Sequence, residues 1–378
     1  MKSQCVPVEA TSDPRSMARL KVSEARGTST VTRPSHTPSW PPQASRSADP
    51  PRVGPYELIE RLRRHAISTG AGDLEAVELY RARALEGPAA RQSVALKCLR
   101  SGTGRKSAMA DLFAREAWVA AAVDHPNVCQ LLGFGATHDE HYIALEWLSG
   151  LALSRAFATL GQRRALVHRR QHCQAVARII AELAKGLHAV HEVRDAQGTA
   201  LGVVHRAIQP ENLFVLHDGG VRLKELGMAR PGSRERRRST VKSGPWLYGS
   251  VAYAAPEQLQ RPEVDRRVDI WALAVVAWEL LTGERLFARA TPQETALAVM
   301  GDPIPPPSAI NPAVAPALEH VLARALARDP DQRVATAQEL ARALEDALSL
   351  TGGDVSAAGV AGWLAELLPP PARRLRAC

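Results

Sequence analysis

The hydrophobic pattern divides the chain into a strand-rich part and a helical part. Short apolar or alternating runs predict strands, whereas apolar residues spaced three and four apart predict helices. The predicted strands are Tyr56–Glu60, Ala76–Tyr80, Ser93–Leu99 and His141–Glu146, and one helix, Ala108–Val123, lies between the last two. Further helices are predicted at Ala175–His191, Ile270–Leu281, Pro316–Ala327 and Ala335–Leu348. Strands followed by helices predict an α+β fold with two lobes, not an alternating strand–helix fold.

Two terminal segments differ from the rest of the chain. Residues 1–54 are rich in Pro, Ser, Thr and Arg and have no hydrophobic period, which predicts a disordered tail. Residues 55–350 form the predicted main domain, with a small lobe to about residue 147 and a helical lobe from about 148 to 350. A short extension, 351–378, contains one predicted amphipathic helix, Val360–Leu368, that either docks a partner or trails from the domain.

Composition and charge narrow the class of protein. The 378 residues are 45% hydrophobic but only 4% aromatic, as expected for a globular core of Ala, Leu and Val. The net charge of +9 invites a nucleic-acid interpretation, yet no zinc-finger, helix-turn-helix or RNA-binding motif accompanies it. We therefore expect protein partners and no nucleic acid.

The cysteines and the apolar runs indicate the cellular compartment of the protein. The five cysteines are scattered singly, which favours reduced thiols. No apolar stretch of signal-peptide type lies near residue 1, and the most apolar run, Ile270–Leu281, contains Glu279 and is too short to span a bilayer. We expect a cytoplasmic protein without a membrane span.

Several short motifs follow one another in a fixed order. They are Val94-Ala95-Leu96-Lys97, Arg115-Glu116-Ala117, His125-Pro126-Asn127, His205-Arg206 with Asn212, Ala255-Pro256-Glu257 and Asp269-Ile270-Trp271. In this order and spacing, the region from about Tyr56 to Leu350 resembles the protein kinase family, bacterial serine/threonine kinases above all. The resemblance implies a strand-rich N-lobe and a larger helical C-lobe with ATP and Mg²⁺ between them.

The resemblance also implies which residues hold the nucleotide. Lys97 would bind phosphates and Glu116 would orient it, while Glu146 and Leu148 would belong to the hinge that meets adenine. Phe214 would form the floor under adenine. The full implied set is Gly72, Leu79, Ala95, Lys97, Glu116, Glu146, Leu148, Asn212 and Phe214.

The catalytic positions depart from the family pattern. The family has His-Arg-Asp, four residues, then Asn, but here Ala207 occupies the position of the Asp that accepts the substrate proton. Gln209 replaces a Lys that serine/threonine kinases place near the transferred phosphoryl group. Counted back from Tyr80, two of three expected loop glycines are Leu74 and Val77, and only Gly72 remains. No catalytic residue is therefore assigned.

The metal position is altered as well. Thirteen residues after Asn212, where the family has Asp-Phe-Gly, the chain has Glu225-Leu226-Gly227. Glu has one methylene more than Asp, so the Glu225 carboxylate lies about 1.5 Å further from the backbone than the family's Asp carboxylate. Mg²⁺ demands near-octahedral geometry with short bonds. Asn212 and Glu225 remain the metal candidates.

The motifs that support the family scaffold are retained. The resemblance implies a buried ion pair between Glu257 and Arg333, and it implies that Asp269 accepts backbone hydrogen bonds from the His205-Arg206 turn. A basic segment, 234–240, carries two candidate phosphorylation sites, Ser239 and Thr240, where a phosphate could pair with Arg.

Three functions stay open at this point. The first is a pseudokinase that works as a binding or allosteric module, with weak ATP binding and a partner such as an active kinase or its substrate. The second is a slow serine/threonine kinase that uses Glu225 for Mg²⁺. The third is a scaffold that binds no nucleotide because Leu74, Val77 and Phe214 fill the pocket.

Overall fold

A computed structural model describes most of the chain after residue 50. The described residues are 51–68, 74–87, 89–100, 108–137, 140–195, 197–226, 250–261, 263–352 and 356–368. The predicted tail up to residue 50, Gly72 and the candidate phosphorylation sites Ser239 and Thr240 lie outside them. Within the described residues, no helix combines the length and the apolar character needed to cross a membrane.

The N-lobe is built on one antiparallel sheet of six strands. They are β1 (Arg52–Val53), β2 (Tyr56–Ser68), β3 (Leu74–Ala84), β4 (Ser93–Arg100), β5 (Leu131–Ala136) and β6 (Glu140–Glu146), in the order β1-β2-β3-β4-β6-β5. Side chains alternate between the two faces of a strand. In β4, Val94, Leu96 and Cys98 are therefore buried in the lobe, while Ala95 and Lys97 face the opposite side.

One helix, α1 (Ala108–Ala122), packs against this sheet. Its residues Phe113 and Ala117 are one helical turn apart and form a buried cluster with Leu99 and Ile143 of the strands. Glu116 lies on the same helix face, since it is three residues after Phe113. The hydrophobic contact thus turns the Glu116 carboxylate towards the sheet.

The C-lobe consists of helices around a small second sheet. Its helices are α2 (Leu153–Gln162), α3 (Arg170–His191), α4 (Pro256–Gln260), α5 (Arg267–Thr282), α6 (Pro292–Gly301), α7 (Pro316–Ala325), α8 (Ala337–Ser349) and α9 (Ala357–Leu367). The second sheet contains β7 (Gly150–Ala152), β8 (Leu213–Leu216) and β9 (Val221–Leu223). Helix α5 carries apolar residues on all sides, with only a few polar ones among them, and is buried from Val268 to Thr282, so it forms the centre of the lobe.

Helix α9 packs onto the C-lobe as part of its main core. Its large apolar residues lie at helical spacing, and all four are buried: Val360, Trp363, Leu364 and Leu367. The indole N–H of Trp363 donates to His172 Nδ1 at 3.0 Å. His172 Nε2, 2.8 Å from the carbonyl of Leu280, then carries the proton and donates to it. The extension after residue 350 is therefore packed on the lobe wherever the structure describes it.

The predicted α+β fold with two lobes is confirmed. The hairpin of β2 and β3 is longer than the sequence pattern predicted, since β2 continues to Ser68 and β3 already begins at Leu74. Pairing also begins at Arg52, slightly before the predicted domain boundary at residue 55.

Candidate functional site

The register of the N-lobe sheet places the predicted nucleotide-binding side chains on one face. Leu79 of β3 lies opposite Lys97 of β4, and Ala95 lies opposite Leu145 of β6. Ala95 and Lys97 are two residues apart and so share a face. The sheet therefore presents an apolar surface that ends at the Lys97 ammonium group.

Lys97 binds two carboxylates at once. Its Nζ lies 2.7 Å from Glu116 Oε2 and 3.0 Å from Glu225 Oε2. The first contact joins the sheet to α1, and the second joins the N-lobe to the segment after β9. The extra methylene of Glu225 lets the side chain at the metal position reach the lysine. The ammonium group expected to hold phosphates is thus already neutralised by the protein.

The titration behaviour of this cluster follows from the contacts. Burial opposes the charged form of Lys97, but Glu116 and Glu225 outweigh it and raise the pKa of the ammonium above its ordinary value. The charge of Lys97 in turn lowers the pKa of Glu225, against the effect of burial. At neutral pH Lys97 and Glu225 are therefore both charged and hold each other.

The turn at residues 205–207 is fixed by one buried carboxylate. Asp269 Oδ2 accepts the N–H of His205 at 2.8 Å, and Oδ1 accepts the N–H of Arg206 at 2.7 Å. His191 Nε2 lies 2.8 Å from the same carboxylate. Burial opposes ionisation of Asp269, yet these hydrogen bonds, that of His191 first, lower its pKa. Arg206 is held at φ 63°, an unusual value for a residue with a side chain.

The side chain of His205 also stabilises this turn. The N–H of Ala207 donates to His205 Nδ1 at 3.2 Å, so the ring proton lies on Nε2, which is 3.3 Å from the carbonyl of Lys224. Burial lowers the pKa of His205, which keeps this neutral form. Hydrogen bonds therefore fix the backbone of the loop, although the side chain at position 207 is a methyl group.

Asn212 and Gln209 complete the loop. Asn212 Nδ2 donates to the carbonyl of Ala207 at 2.8 Å, which closes the turn across five residues. Gln209 Oε1 accepts the N–H of Ser250 at 3.2 Å and so ties the loop to the chain before α4. Both side chains therefore stabilise the conformation of the loop.

Leu74 and Val77, which occupy positions where the family has loop glycines, both lie in strand β3. Leu74 pairs with Ser68, and Val77 lies between His65 of β2 and Leu99 of β4. Backbone groups between two paired strands are engaged in interstrand hydrogen bonds. Residues 74 and 77 thus continue a strand, where a phosphate-binding loop would need free amides.

The residues predicted for the hinge and for the floor under adenine lie on or next to β6 and on β8. Glu146 ends β6, its N–H donates to the carbonyl of Gln130 at 3.0 Å, and its carboxylate accepts Arg222 Nε at 2.9 Å. Phe214 is half-buried in β8, and Lys224 Nζ lies 5.2 Å from the centre of its ring. Leu148 is half-buried after β6.

Of the two metal candidates, Glu225 is engaged by another side chain. Glu225 has φ 66° and directs its carboxylate at Lys97. Asn212 donates to Ala207 through its amide nitrogen, which leaves the amide oxygen, the atom that binds metals, available. In the part of the chain that the structure describes, no three His, Cys, Asp or Glu side chains form a group suited to a metal ion. A magnesium ion would have to take Glu225 away from Lys97.

The chain is similar in sequence to known protein kinases. The model of the protein kinase domain matches residues 78–344. The chain is 33% identical over 298 residues to the tyrosine-protein kinase MasK of Myxococcus xanthus, covering 78% of the chain and 43% of that protein. It is 30% identical over 302 residues to the serine/threonine-protein kinase Pkn1 of the same species (79% and 39%). It is 29% identical over 249 residues to PrkC of Bacillus subtilis (66% and 35%). The chain therefore spans less than half the length of these relatives.

Proposed function

Because the chain belongs to the protein kinase family, we propose that it is a serine/threonine kinase-like signalling protein that has lost phosphate transfer. In this proposal it is a pseudokinase that acts by binding other proteins and holds ATP weakly. The observation that carries the proposal is Ala207 in a loop whose backbone contacts are otherwise complete. A methyl group accepts no proton, and the loss of a positioned base costs about 10²–10⁴-fold in rate.

A slow active kinase is the second candidate. The contact that favours it is the ion pair between Lys97 and Glu116, at 2.7 Å, which is a requirement of phosphate transfer in this family. A scaffold without nucleotide is the third, favoured by the pairing of β2 with β3 as far as Ser68 and Leu74. The three candidates differ in two measurable quantities, ATP affinity and phosphate incorporation.

Autophosphorylation tests the loss of catalysis. We expect the purified protein, incubated with radiolabelled ATP and Mg²⁺, to incorporate no more phosphate than its Lys97→Ala variant, because Ala207 cannot act as a base. Robust incorporation that disappears in the Lys97→Ala variant would establish the slow kinase instead.

Calorimetric titration with ATP tests the nucleotide site. We expect weak binding that improves little with Mg²⁺, since phosphates must displace Glu225 from Lys97. The Glu225→Gln variant removes this competing charge and should bind metal-free ATP about fivefold more tightly, equivalent to about 1 kcal/mol.

Glu211→Gln is the matched control for that titration. Glu211 is a half-buried carboxylate beside Asn212 and is not a partner of Lys97, so its removal should leave ATP affinity unchanged. Tight, Mg²⁺-dependent binding by the unmodified protein that is lost in Glu225→Gln would identify Glu225 as a metal ligand. No binding by any of the three proteins would support the scaffold.

A further inference from the structure

One face of the second sheet forms the floor of the cleft between the two lobes. Phe214 of β8 lies opposite Arg222 of β9, and Lys224 follows two residues later on the same face. The N–H of Lys224 donates to the carbonyl of Asn212 at 3.0 Å, which continues the strand pairing. Arg222 Nε binds Glu146 Oε1 of β6 at 2.9 Å, so this face is turned towards the N-lobe.

Lys224 is an uncommitted cation on this floor. The residue is half-buried, and its Nζ lies 5.2 Å from the centre of the Phe214 ring. It makes no ion pair or hydrogen bond with any residue that the structure describes, whereas Lys97 already binds two carboxylates. A partly buried ammonium group that has lost water without gaining an acceptor is costly, so an anion at this point would be favoured.

Arg63 faces the same cleft from the N-lobe. Residues that lie directly opposite each other on antiparallel strands share a face of the sheet, and Arg63 of β2, Leu79 of β3 and Lys97 of β4 form one such row. The Arg63 side chain is exposed, and within the described part of the chain it makes no ion pair or hydrogen bond. Each lobe therefore contributes one uncommitted cation to the cleft.

Apolar side chains lie beside these two cations. Leu79 and Ala95 are on the cleft face of the N-lobe sheet, and Phe214 is on the floor. Apolar walls of this kind accommodate a flat ring, whereas Arg and Lys are suited to phosphate oxygens, Arg through paired N–H groups and Lys as a point charge. A nucleotide combines the two kinds of group.

The two cations also bear on the need for a metal ion. Kinases hold the phosphates with amides of a glycine-rich loop and with Mg²⁺. Here Leu74 and Val77 are paired within the sheet, and Glu225 is directed at Lys97. Arg63 and Lys224 together supply two positive charges, as many as one magnesium ion.

We propose that Arg63 and Lys224 bind the phosphates of a metal-free adenine nucleotide, ADP or ATP, whose base lies between Leu79 and Phe214. The ligand joins the two lobes, because Arg63 belongs to the N-lobe and Lys224 to the C-lobe. This inference rests on the nucleotide binding proposed above and adds to it the phosphate-binding residues and the independence from metal.

Displacement of a fluorescent ADP in the presence of EDTA tests the proposal. Mant-ADP, which carries its fluorophore on the ribose, is bound to the full chain and displaced by ADP, adenosine or pyrophosphate. We expect ADP to bind about tenfold more tightly than either of the others, because it alone uses both the apolar walls and the cations. Added Mg²⁺ should not tighten ADP binding, since the ion competes with Arg63 and Lys224 for the same oxygens.

Variants of the two cations should remove the contribution of the phosphates. Arg63→Gln and Lys224→Met should each weaken ADP binding about tenfold and leave adenosine binding unchanged. Lys224→Arg keeps a cation over the Phe214 ring and should retain most of the affinity. Met packs well against an aromatic ring, so Lys224→Met should keep the melting temperature of the unmodified chain.

Two matched variants serve as controls. Arg52→Gln makes the same change as Arg63→Gln at an exposed position of β1, at the edge of the N-lobe sheet. Lys185→Met makes the same change as Lys224→Met on α3, where Lys185 pairs with Glu182 and Glu345. Both should bind ADP as tightly as the unmodified chain.

The proposal is overturned if Arg63→Gln and Lys224→Met bind ADP as tightly as the unmodified chain, or if ADP binds only with Mg²⁺. It is also overturned if adenosine or pyrophosphate binds as tightly as ADP. Absence of mant-ADP binding to the folded, unmodified chain is a separate result, because it removes the proposed nucleotide binding itself together with this inference.

Discussion

The triple variant Ala207→Asp, Gln209→Lys, Glu225→Asp is expected to transfer phosphate from ATP, about 10²-fold or more above a blank reaction. The first change returns the base and the second returns the lysine of the catalytic loop. The third shortens the carboxylate at the metal position, which withdraws it from Lys97, now 3.0 Å away. All three act on side chains, because the backbone of the loop already has the contacts it needs.

The side chain at position 207 borders a small cavity that can take part of the new carboxylate. A cavity of about 10 Å³ lies beside Ala207, lined also by Gln209, Ser250 and Tyr253. That volume is roughly the space of one water molecule. Gln209→Lys gives up the hydrogen bond to Ser250, which is exposed and replaceable by water. We therefore expect the triple variant to fold with a melting temperature close to that of the unmodified chain.

Two further variants serve as controls for the triple variant. Ala207→Asp alone should give much less activity, since Glu225 still occupies Lys97 and positioning effects act together. Adding Lys97→Ala to the triple variant should abolish transfer. A folded but inert triple variant would mean that the paired β2–β3 hairpin or Phe214 blocks the nucleotide. Full activity from Ala207→Asp alone would mean that Glu225 is an adequate residue at the metal position.

Arg333→Ala is expected to cost about 3–5 kcal/mol of unfolding free energy. Arg333 Nη1 and Nη2 donate to Glu257 Oε1 and Oε2 at 2.8 and 3.2 Å, and the side chain is fully buried. Its remaining N–H groups donate to the carbonyls of Ala327, Arg267 and Arg328. Removing the guanidinium leaves the buried Glu257 carboxylate without its partner and three carbonyls without donors.

Chemical denaturation of matched variants measures this cost. Arg178→Ala breaks a partly exposed ion pair with Glu182, at 2.7 Å on α3, and should cost at most about 1 kcal/mol. The double variant Arg333→Met, Glu257→Leu should lose less than Arg333→Ala, because no buried charge is stranded. Equal, small losses for Arg333→Ala and Arg178→Ala would contradict the structural role assigned to the Glu257–Arg333 pair.

Contacts between residues on regular elements were predictable from the sequence. Lys97 and Glu116 lie on a strand and a helix at family spacing, and Asp269 and Arg333 lie on or near helices of the C-lobe. The family resemblance implies which residues are partners, and hydrophobic periodicity fixes the face on which each element presents them. The structure accordingly brings Lys97 to Glu116, Asp269 to the 205–206 turn and Arg333 to Glu257.

Features that depend on rotamers or on strand length were not predictable. The hydrophobic pattern predicts the strand from Ala76 onwards, whereas pairing already begins at Leu74, opposite Ser68. The extra methylene of Glu225 was noted as a poorer metal ligand, whereas only the structure brings it to Lys97.

The place where α9 packs was not predictable for a related reason. The residues around it come from segments of the C-lobe that are far apart in the chain. Gln174 lies on α3, whereas Thr351 follows α8 and Trp363 lies on α9. The helical period predicted α9 but could not say against which surface its apolar face would pack.

Phosphate transfer to a general protein acceptor such as casein tests the central claim most directly. The unmodified chain, the triple variant and Lys97→Ala are compared in one assay at equal concentration with radiolabelled ATP and Mg²⁺. The account predicts that the unmodified chain stays at the level of Lys97→Ala while the triple variant rises clearly above it. Transfer by the unmodified chain well above the Lys97→Ala level would contradict the account, because Ala207 would then be no obstacle to catalysis.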